Sequence, residues 1–150
     1  MFERQSWMQR AGDCPETDRQ WNELLARAVM SAGLGPKVVE SRWETMSELF
    51  YQWEPEKVAA MTEQDVGRLL SDPGAIRNRR KVEAVLANSR MLLDTAAFFE
   101  AGFGGFVAHL CGSRDLDEAA EFLSQGFRHL GRTSALFFLF SAGYRPAVSA

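Results

Sequence analysis

The sequence has only two cysteines, two histidines and no apolar run long enough to cross a membrane. Two cysteines in 150 residues do not form a disulfide framework, so we expect a reducing environment. The longest apolar stretch, residues 135–140, is far shorter than the roughly 20 residues that a membrane-spanning helix needs. No basic segment followed by an apolar run suggests a signal peptide. These absences favour a cytoplasmic protein with no membrane partner.

Excess positive charge is also absent, because the net charge is -3 at pH 7. This value argues against a broadly basic nucleic-acid-binding protein but leaves a local basic patch open. There is no P-loop, no glycine-rich dinucleotide motif and no Ser/His/Asp pattern of a hydrolase. His109 and Cys111 lie two residues apart without a second pair at ligand spacing, so we predict no metal site.

The hydrophobic pattern predicts an all-α protein with a single domain over residues 1–150 and about seven or eight short helices. Apolar residues recur at helical spacing, and no segment alternates as a β-strand does. Thr17 and Asp18 offer a cap for the first helix, Thr62 to Asp65 resembles a capping box, and Asp115 precedes a further helix. In the first helix we expect Glu23 and Arg27 to form a solvated pair. The tryptophans are expected in the core, with Trp7 as the exception.

Two basic segments are candidates for DNA contacts. The first has four cations in five residues, namely Arg77, Arg79, Arg80 and Lys81. Cations at a helix N-terminus are unfavourable unless an anion such as a phosphate lies there. A solvated helix face is the alternative explanation of the same pattern.

The second basic segment is a glycine turn, HLGRTS, that opens the most apolar helix of the chain. Main-chain amides at the start of such a helix hold a DNA phosphate in helix-hairpin-helix proteins. The predicted hairpin motif covers residues 127–143, and its predicted DNA contacts are Leu130, Gly131, Arg132, Thr133 and Ser134. An ordinary glycine turn between packed helices remains the alternative.

Together these segments resemble the 3-methyladenine DNA glycosylase I family. Residues 55–90 are similar to the central segment of that family, residues 123–143 to its hairpin and following helix, and residues 15–35 to its first helix. The matches in the central segment are Val58, Ala59, Asp65, Val66, Leu69, Asp72, Ile76, Arg77, Lys81, Asn88 and Arg90. The similarity extends from about residue 15 to residue 143.

The resemblance implies a helix-hairpin-helix fold with two helical lobes around a groove, and double-stranded DNA as the partner. Family enzymes extrude an alkylated base such as 3-methyladenine from duplex DNA and hydrolyse its N-glycosidic bond in base-excision repair. Because N3-methylation makes the adenine cationic, that base is already a good leaving group. The protein then needs mainly an aromatic pocket with polar groups that recognise the base.

Several functional residues of the family are replaced in this sequence. The recognition glutamate falls on Ala28, a glutamine on Ser31, and the tryptophan of a Ser-Trp pair on Pro36. We expect these positions and Trp7 to form the base pocket, while no catalytic residue is identified. The family's zinc ligands also lack counterparts, with Met8 in place of a histidine, so no cofactor is predicted. After residue 146 the usual Asn-Asp-His continuation is replaced by residues 147–150.

These replacements leave three functions open. The first is a glycosylase whose base pocket is formed by different residues from those of the family. The second is a helix-hairpin-helix DNA-binding protein without catalysis. The third is a protein-interaction module that uses the Phe-rich segment 98–106. In the glycosylase alternative, Trp7 and Trp43 are candidates to stack on the base. The candidate replacements for the lost carboxylate are Glu40, Glu16 and Asp13.

Overall fold

The computed structural model describes residues 4–10 and 14–146, and within these ranges the protein consists of helices and connecting turns without a β-strand. The eight α-helices are α1 (Asp18–Ser31), α2 (Pro36–Leu49), α3 (Pro55–Ala59), α4 (Glu63–Ser71), α5 (Arg79–Ala96), α6 (Gly102–Ser113), α7 (Leu116–Gly126) and α8 (Arg132–Ser141). The predicted all-α class is therefore confirmed. None of the helices in the described ranges has the length and apolar character that a bilayer crossing demands.

Short polar residues begin several of these helices, as their spacing in the sequence predicts. The Thr17 hydroxyl accepts a hydrogen bond from the backbone amide of Gln20, and the Gln20 side chain completes a capping box. Thr62 and Asp65 form the second capping box, with Asp in the usual place of Glu. Asp115 caps α7 through the amide of Glu118. These local hydrogen bonds satisfy amides that would otherwise have no partner in the helix.

The helices form two groups that share α1 and α5. In one group, α3 and α4 pack on α5 while α2 packs on α1; in the other, α6 packs on α1 and α5 and α8 packs on α1 and α7. Trp21 of α1 is 1% exposed, and its ring lies 5.8 Å from Phe103 and 5.7 Å from Phe138. Because α1 and α5 belong to both groups, these two helices connect them.

Two local features of the chain were not expected from the sequence. Residues Tyr51, Gln52 and Trp53 form a short left-handed turn with φ values of 54°, 56° and 65°. The segment after residue 101 forms the helix α6 although it contains Gly102, Gly104 and Gly105. Gly102 permits its start, since its φ is +70° and the Asp18 carboxylate lies 2.7 Å from where a Cβ would be.

Candidate nucleic-acid interface

The hairpin between α7 and α8 has its left-handed residue at His129 rather than at a glycine. His129 has a φ of 53°, whereas Gly131, which precedes the first residue of α8, has an ordinary extended conformation with φ -70°. No atom of the chain lies within 4 Å of the position of a Cβ on Gly131. Neither the backbone conformation nor internal packing therefore requires glycine there, and the space around that Cβ position is open.

Asn88 of α5 fixes the position of this hairpin. Its side-chain nitrogen donates to the carbonyl oxygen of Arg128 at 3.0 Å, and its oxygen accepts from the Arg128 amide at 2.8 Å. Asn88 is 2% exposed and Leu130 is 3% exposed, so the turn is attached to the core on both sides. The backbone geometry of the hairpin is thus set by a buried amide of another helix.

A cavity of about 230 Å³ lies beside the start of α8. The four residues predicted for the base pocket and two of those predicted for DNA contact all line it: Trp7, Ala28, Ser31, Pro36, Thr133 and Ser134. Its apolar side includes Phe137, whose ring lies 6.0 Å from that of Trp7. The structure therefore brings the predicted pocket and the first turn of the hairpin helix into one place. The roles of these residues in binding stay predictions.

Arg27 is a charged residue of the cavity lining that sequence reasoning missed. It is 6% exposed and forms an ion pair with Glu40, so the expected solvated pair of Glu23 and Arg27 is wrong. Glu23 instead accepts hydrogen bonds from the Trp43 indole at 2.9 Å and from Arg19 at 3.2 Å. The helical spacing placed Arg27 outside the apolar stripe, and only the packing of α2 against α1 shows that this position is buried.

The Arg27 guanidinium is held within a column of flat groups. Its central carbon lies 4.0 Å from the centre of the Trp7 ring and 4.9 Å from that of Trp43. Trp43 in turn stacks on Trp53 at 4.8 Å, and Trp53 on Phe50 at the same distance. Trp43 is 7% exposed and therefore belongs to the core rather than to a base-stacking surface. Trp7 contributes to the cavity wall, with its ring packed against Arg27.

The carboxylates proposed to replace the family's glutamate do not lie in the cavity where the structure describes them. Glu40 pairs with Arg27, and its side chain is 64% exposed. Glu16 is part of the exposed loop before α1, where its amide donates to Gln20. Asp13 lies outside the described residues. Among the described residues that line the cavity, none carries a carboxylate.

The four cations of the predicted basic cluster have different environments. Arg77, Arg79 and Arg80 are exposed, and Arg79 pairs with Glu63 at 2.8 Å. Lys81 is 5% exposed and donates to the carbonyl oxygens of Met30 and Ala32 at the end of α1. Because its ammonium group is buried within the protein, we leave Lys81 out of the proposed DNA surface. The three arginines stay candidates for phosphate contacts.

The residues present do not fit the zinc site that the resemblance implies. No group of three or more His, Cys, Asp or Glu side chains in the described ranges is placed to hold a metal ion. Met8 is 4% exposed, and its sulfur accepts a hydrogen bond from the amide of Gln5 at 3.3 Å. Burial and the nearby Cys14 raise the pKa of the Cys111 thiol to about 11, which disfavours the thiolate that a metal needs. The absence of a cofactor stays a prediction.

A helical fold with a hairpin beside an aromatic-lined cavity is the arrangement of a helix-hairpin-helix DNA glycosylase. Residues 5–145 match the methyladenine glycosylase family, so the chain belongs to that family. Over 81 residues it is 41% identical to DNA-3-methyladenine glycosylase 1 of Escherichia coli K12, and over 80 residues 35% identical to DNA-3-methyladenine glycosylase of Haemophilus influenzae. Each alignment covers 53% of this chain and 43% of the relative, so the matched part of the chain spans less than half the length of each of these curated proteins.

Solved structures extend the similarity over almost the whole chain. The structure that describes 3-methyladenine recognition by 3-methyladenine DNA glycosylase I from Staphylococcus aureus has a TM-score of 0.79 with this protein. It is 28% identical, and the match covers 91% of this chain and 82% of that one. The family and the helical glycosylase fold predicted from the sequence are both confirmed.

Proposed function

We propose that this chain binds duplex DNA through its hairpin and holds an extruded base in the adjoining cavity, as an N-glycosylase of base-excision repair. The observation that carries this proposal is that Thr133 and Ser134, in the first turn of α8, line the cavity. A phosphate on the α8 amides would therefore place the neighbouring nucleotide at the cavity. The relatives named as 3-methyladenine glycosylases support the same activity.

The end of α1 connects this site to the exposed arginines. Ala32 borders both the cavity and the cleft along Leu130 and Gly131. Leu34 borders both the cavity and the cleft that contains Arg77. A DNA backbone that follows this surface would meet the hairpin, the cavity mouth and the arginines in turn. Arginine and backbone amides are the groups that hold phosphates in such complexes.

The open space at Gly131 gives a sharp test of this arrangement. We expect Gly131→Ala to weaken binding to a duplex with a tetrahydrofuran abasic site by several-fold, because the added methyl occupies the space that a phosphate would approach. The free energy of unfolding should change little, because two effects oppose each other. Ala makes the unfolded chain less flexible, which stabilises the fold by about 0.4–1 kcal/mol. Ala is also a poorer N-cap residue than Gly, which costs a comparable amount. Fluorescence anisotropy and thermal unfolding measure the two effects.

The matched control is Gly67→Ala in α4, where a Cβ likewise meets no atom within 4 Å. It should leave DNA affinity unchanged. Both proteins are titrated against damaged and undamaged duplexes at two salt concentrations, because phosphate contacts weaken as salt increases. Equal affinities of Gly131→Ala and the unchanged chain would contradict hairpin binding.

A DNA-binding protein without glycosylase activity is the second candidate. The observation in its favour is the lack of a carboxylate among the described residues that line the cavity. Release of free base from a methylated duplex, measured by mass spectrometry, separates the two candidates. Salt-sensitive binding with no base released from any substrate would favour the second.

A further inference from the structure

Gln5 is a neutral polar residue of the cavity lining that comes from the segment before α1. Its backbone carbonyl oxygen accepts from the Met8 amide at 3.0 Å, and its own amide donates to the Met8 sulfur at 3.3 Å. Met8 is 4% exposed, so this turn is attached to the core. Gln5 and Trp7 both lie in the turn and both line the cavity. The backbone of Gln5 is therefore fixed beside the site.

The side-chain carboxamide of Gln5 has one defined orientation. The indole Nε1 of Trp7 donates to the Gln5 Oε1 atom at 2.7 Å. Because an indole N–H only donates, the oxygen of the carboxamide and not its nitrogen must face the indole. Within the described ranges the Gln5 Nε2 atom has no acceptor, and Oε1 keeps a second lone pair. The carboxamide therefore offers a donor and an acceptor to a molecule in the cavity.

Hydrogen bonds rather than charge distinguish one base from another in this cavity. Arg27 is the one charged residue of the described lining, and its ion pair with Glu40 balances its charge. Three further lining residues carry hydroxyl groups, namely Ser31, Thr133 and Ser134. A hydroxyl group rotates to donate or to accept, so it discriminates little between bases. In the described lining, Gln5 is the side chain that presents both a donor and an acceptor in a fixed arrangement.

This arrangement matches the edge of adenine that carries N6 and N7. Glutamine binds that edge with two hydrogen bonds, because the N6 amine donates to its oxygen and N7 accepts from its nitrogen. A methyl group on N3 leaves this edge free. Guanine has O6 in place of the amine, so an oxygen of guanine would face Oε1 of Gln5. The hydrogen bond from Trp7 opposes the rotation of the carboxamide that guanine would need.

We infer that Gln5 contacts the edge of the base and determines specificity for adenine-type bases, while Ala28 occupies the position of the family's glutamate. The inference rests on the proposed function, because it concerns the base held in the same cavity. It assigns Gln5 a contact to the base itself, in addition to its hydrogen bond with Trp7.

The test measures the affinity of the full chain for two free bases, 3-methyladenine and 3-methylguanine, by isothermal titration calorimetry. The two bases carry the same methyl group and differ at the edge that Gln5 is inferred to contact. We expect 3-methyladenine to bind more tightly by on the order of tenfold, because the guanine edge loses a hydrogen bond and brings two oxygens together. Equal affinities, or tighter binding of 3-methylguanine, would overturn the inference.

Two substitutions at Gln5 separate contact with the base from support of Trp7. Gln5→Met removes both hydrogen-bonding groups at similar size, so it should lower the affinity for 3-methyladenine by roughly tenfold. Gln5→Glu keeps an oxygen for the Trp7 indole but turns a second oxygen toward N7, so it should lower that affinity by roughly fivefold. If Gln5→Glu binds 3-methyladenine as tightly as the unchanged chain or more tightly, Nε2 does not contact the base.

The matched control is Gln9→Met, which makes the same change in the same segment at a residue that does not line this cavity. It should alter neither the affinity for 3-methyladenine nor the preference between the two bases. Because the side chain of Gln5 is partly exposed, both Gln5 variants should fold, and thermal unfolding checks this. A loss of affinity in Gln9→Met equal to that in Gln5→Met would contradict the assignment.

Affinity for the tetrahydrofuran duplex separates the inference from the proposed function. If that duplex binds with salt-sensitive affinity while the two free bases bind equally or not at all, DNA binding by this surface stands and the role of Gln5 is wrong. If neither the duplex nor a free base binds at low salt, the proposed function itself fails, and the inference with it.

Discussion

The ammonium group of Lys81 lies under the last turn of α1, where it donates to two carbonyl oxygens, those of Met30 and Ala32. Carbonyls at a helix C-terminus have no partner within the helix, so a buried lysine from α5 satisfies them. The last turn of α1 also borders the cavity. Lys81 therefore supports the wall of the site through the backbone rather than through a contact to DNA.

We expect Lys81→Met to lower the free energy of unfolding by about 1–3 kcal/mol, because it leaves buried carbonyl oxygens without a donor. Urea unfolding measures the change. The neighbouring variant Arg80→Met, at an exposed position, is the control and should change stability by less than about 0.5 kcal/mol. A loss in Lys81→Met no larger than that in Arg80→Met would contradict the capping role.

The same residue gives the protein a pH dependence. Burial lowers the pKa of Lys81 below its ordinary value of 10.5. Between the lowered pKa and 10.5 the unfolded chain binds more protons than the folded one, so the free energy of unfolding rises with pH in this window. The cost of burying the charge is fully present below the lowered pKa. Lys81→Met should lack this alkaline rise, whereas Arg80→Met should keep it.

At the scale of an element, the left-handed turn at 51–53 is held by side chains of two helices, α1 and α2. Arg19 donates to the carbonyl oxygen of Gln52 at 3.0 Å, Asn22 donates to that of Trp53 at 3.1 Å, and the Trp53 indole donates to Ser47 at 2.8 Å. A left-handed conformation costs roughly 1–2 kcal/mol per non-glycine residue. The turn lets Trp53 stack on both Trp43 and Phe50. This aromatic packing offsets the conformational cost of the left-handed turn.

Substitutions at the exposed Gln52 should show this conformational cost directly. Gln52→Gly removes the steric penalty of roughly 1–2 kcal/mol. The gain is reduced by about 0.4–1 kcal/mol, because glycine makes the unfolded chain more flexible. We therefore expect Gln52→Gly to raise the urea midpoint slightly and Gln52→Val, which is β-branched, to lower it. If both variants unfold at the same midpoint, the turn is not left-handed in solution.

At the scale of the whole molecule, a carboxylate of α1 caps a helix that begins 84 residues later. The Asp18 Oδ1 atom accepts a hydrogen bond from the Phe103 amide at 2.9 Å, close to the start of α6. Gly102 makes this approach possible because its φ is positive and the carboxylate occupies the space of a Cβ. The contact joins α1 to the second group of helices at the end opposite the cavity.

Loss of this long-range cap should destabilise the protein as loss of a local cap does. We expect Asp18→Ala to lower the free energy of unfolding by about 1 kcal/mol, with a range of 0.5–2 kcal/mol. Asp18→Asn, which keeps an acceptor oxygen, should lose less. The control is Glu56→Ala, an exposed acid in the first turn of α3. Equal unfolding midpoints for Asp18→Ala and Glu56→Ala would contradict a cap across the molecule.

The sequence by itself determined the helical class, the family and most helix starts. Caps such as Thr17, Thr62 and Asp115 bond to an amide three residues later, so their effect is contained in a short stretch of chain. The family follows from segments whose residue order is preserved. The sequence also indicated which positions would form the pocket, and the structure brings those positions together.

Only the tertiary structure decided what surrounds each charge. Helical spacing placed Arg27 outside the apolar stripe of α1, and Lys81 stands in a cluster of cations, so the sequence assigned them to a solvated and to a DNA-facing surface. Their burial depends on helices distant in the chain, α2 over Arg27 and the end of α1 over Lys81. A charged group is stable inside a protein only where such distant partners supply acceptors and aromatic faces. Those partners are set by packing between helices, which no local pattern of residues records.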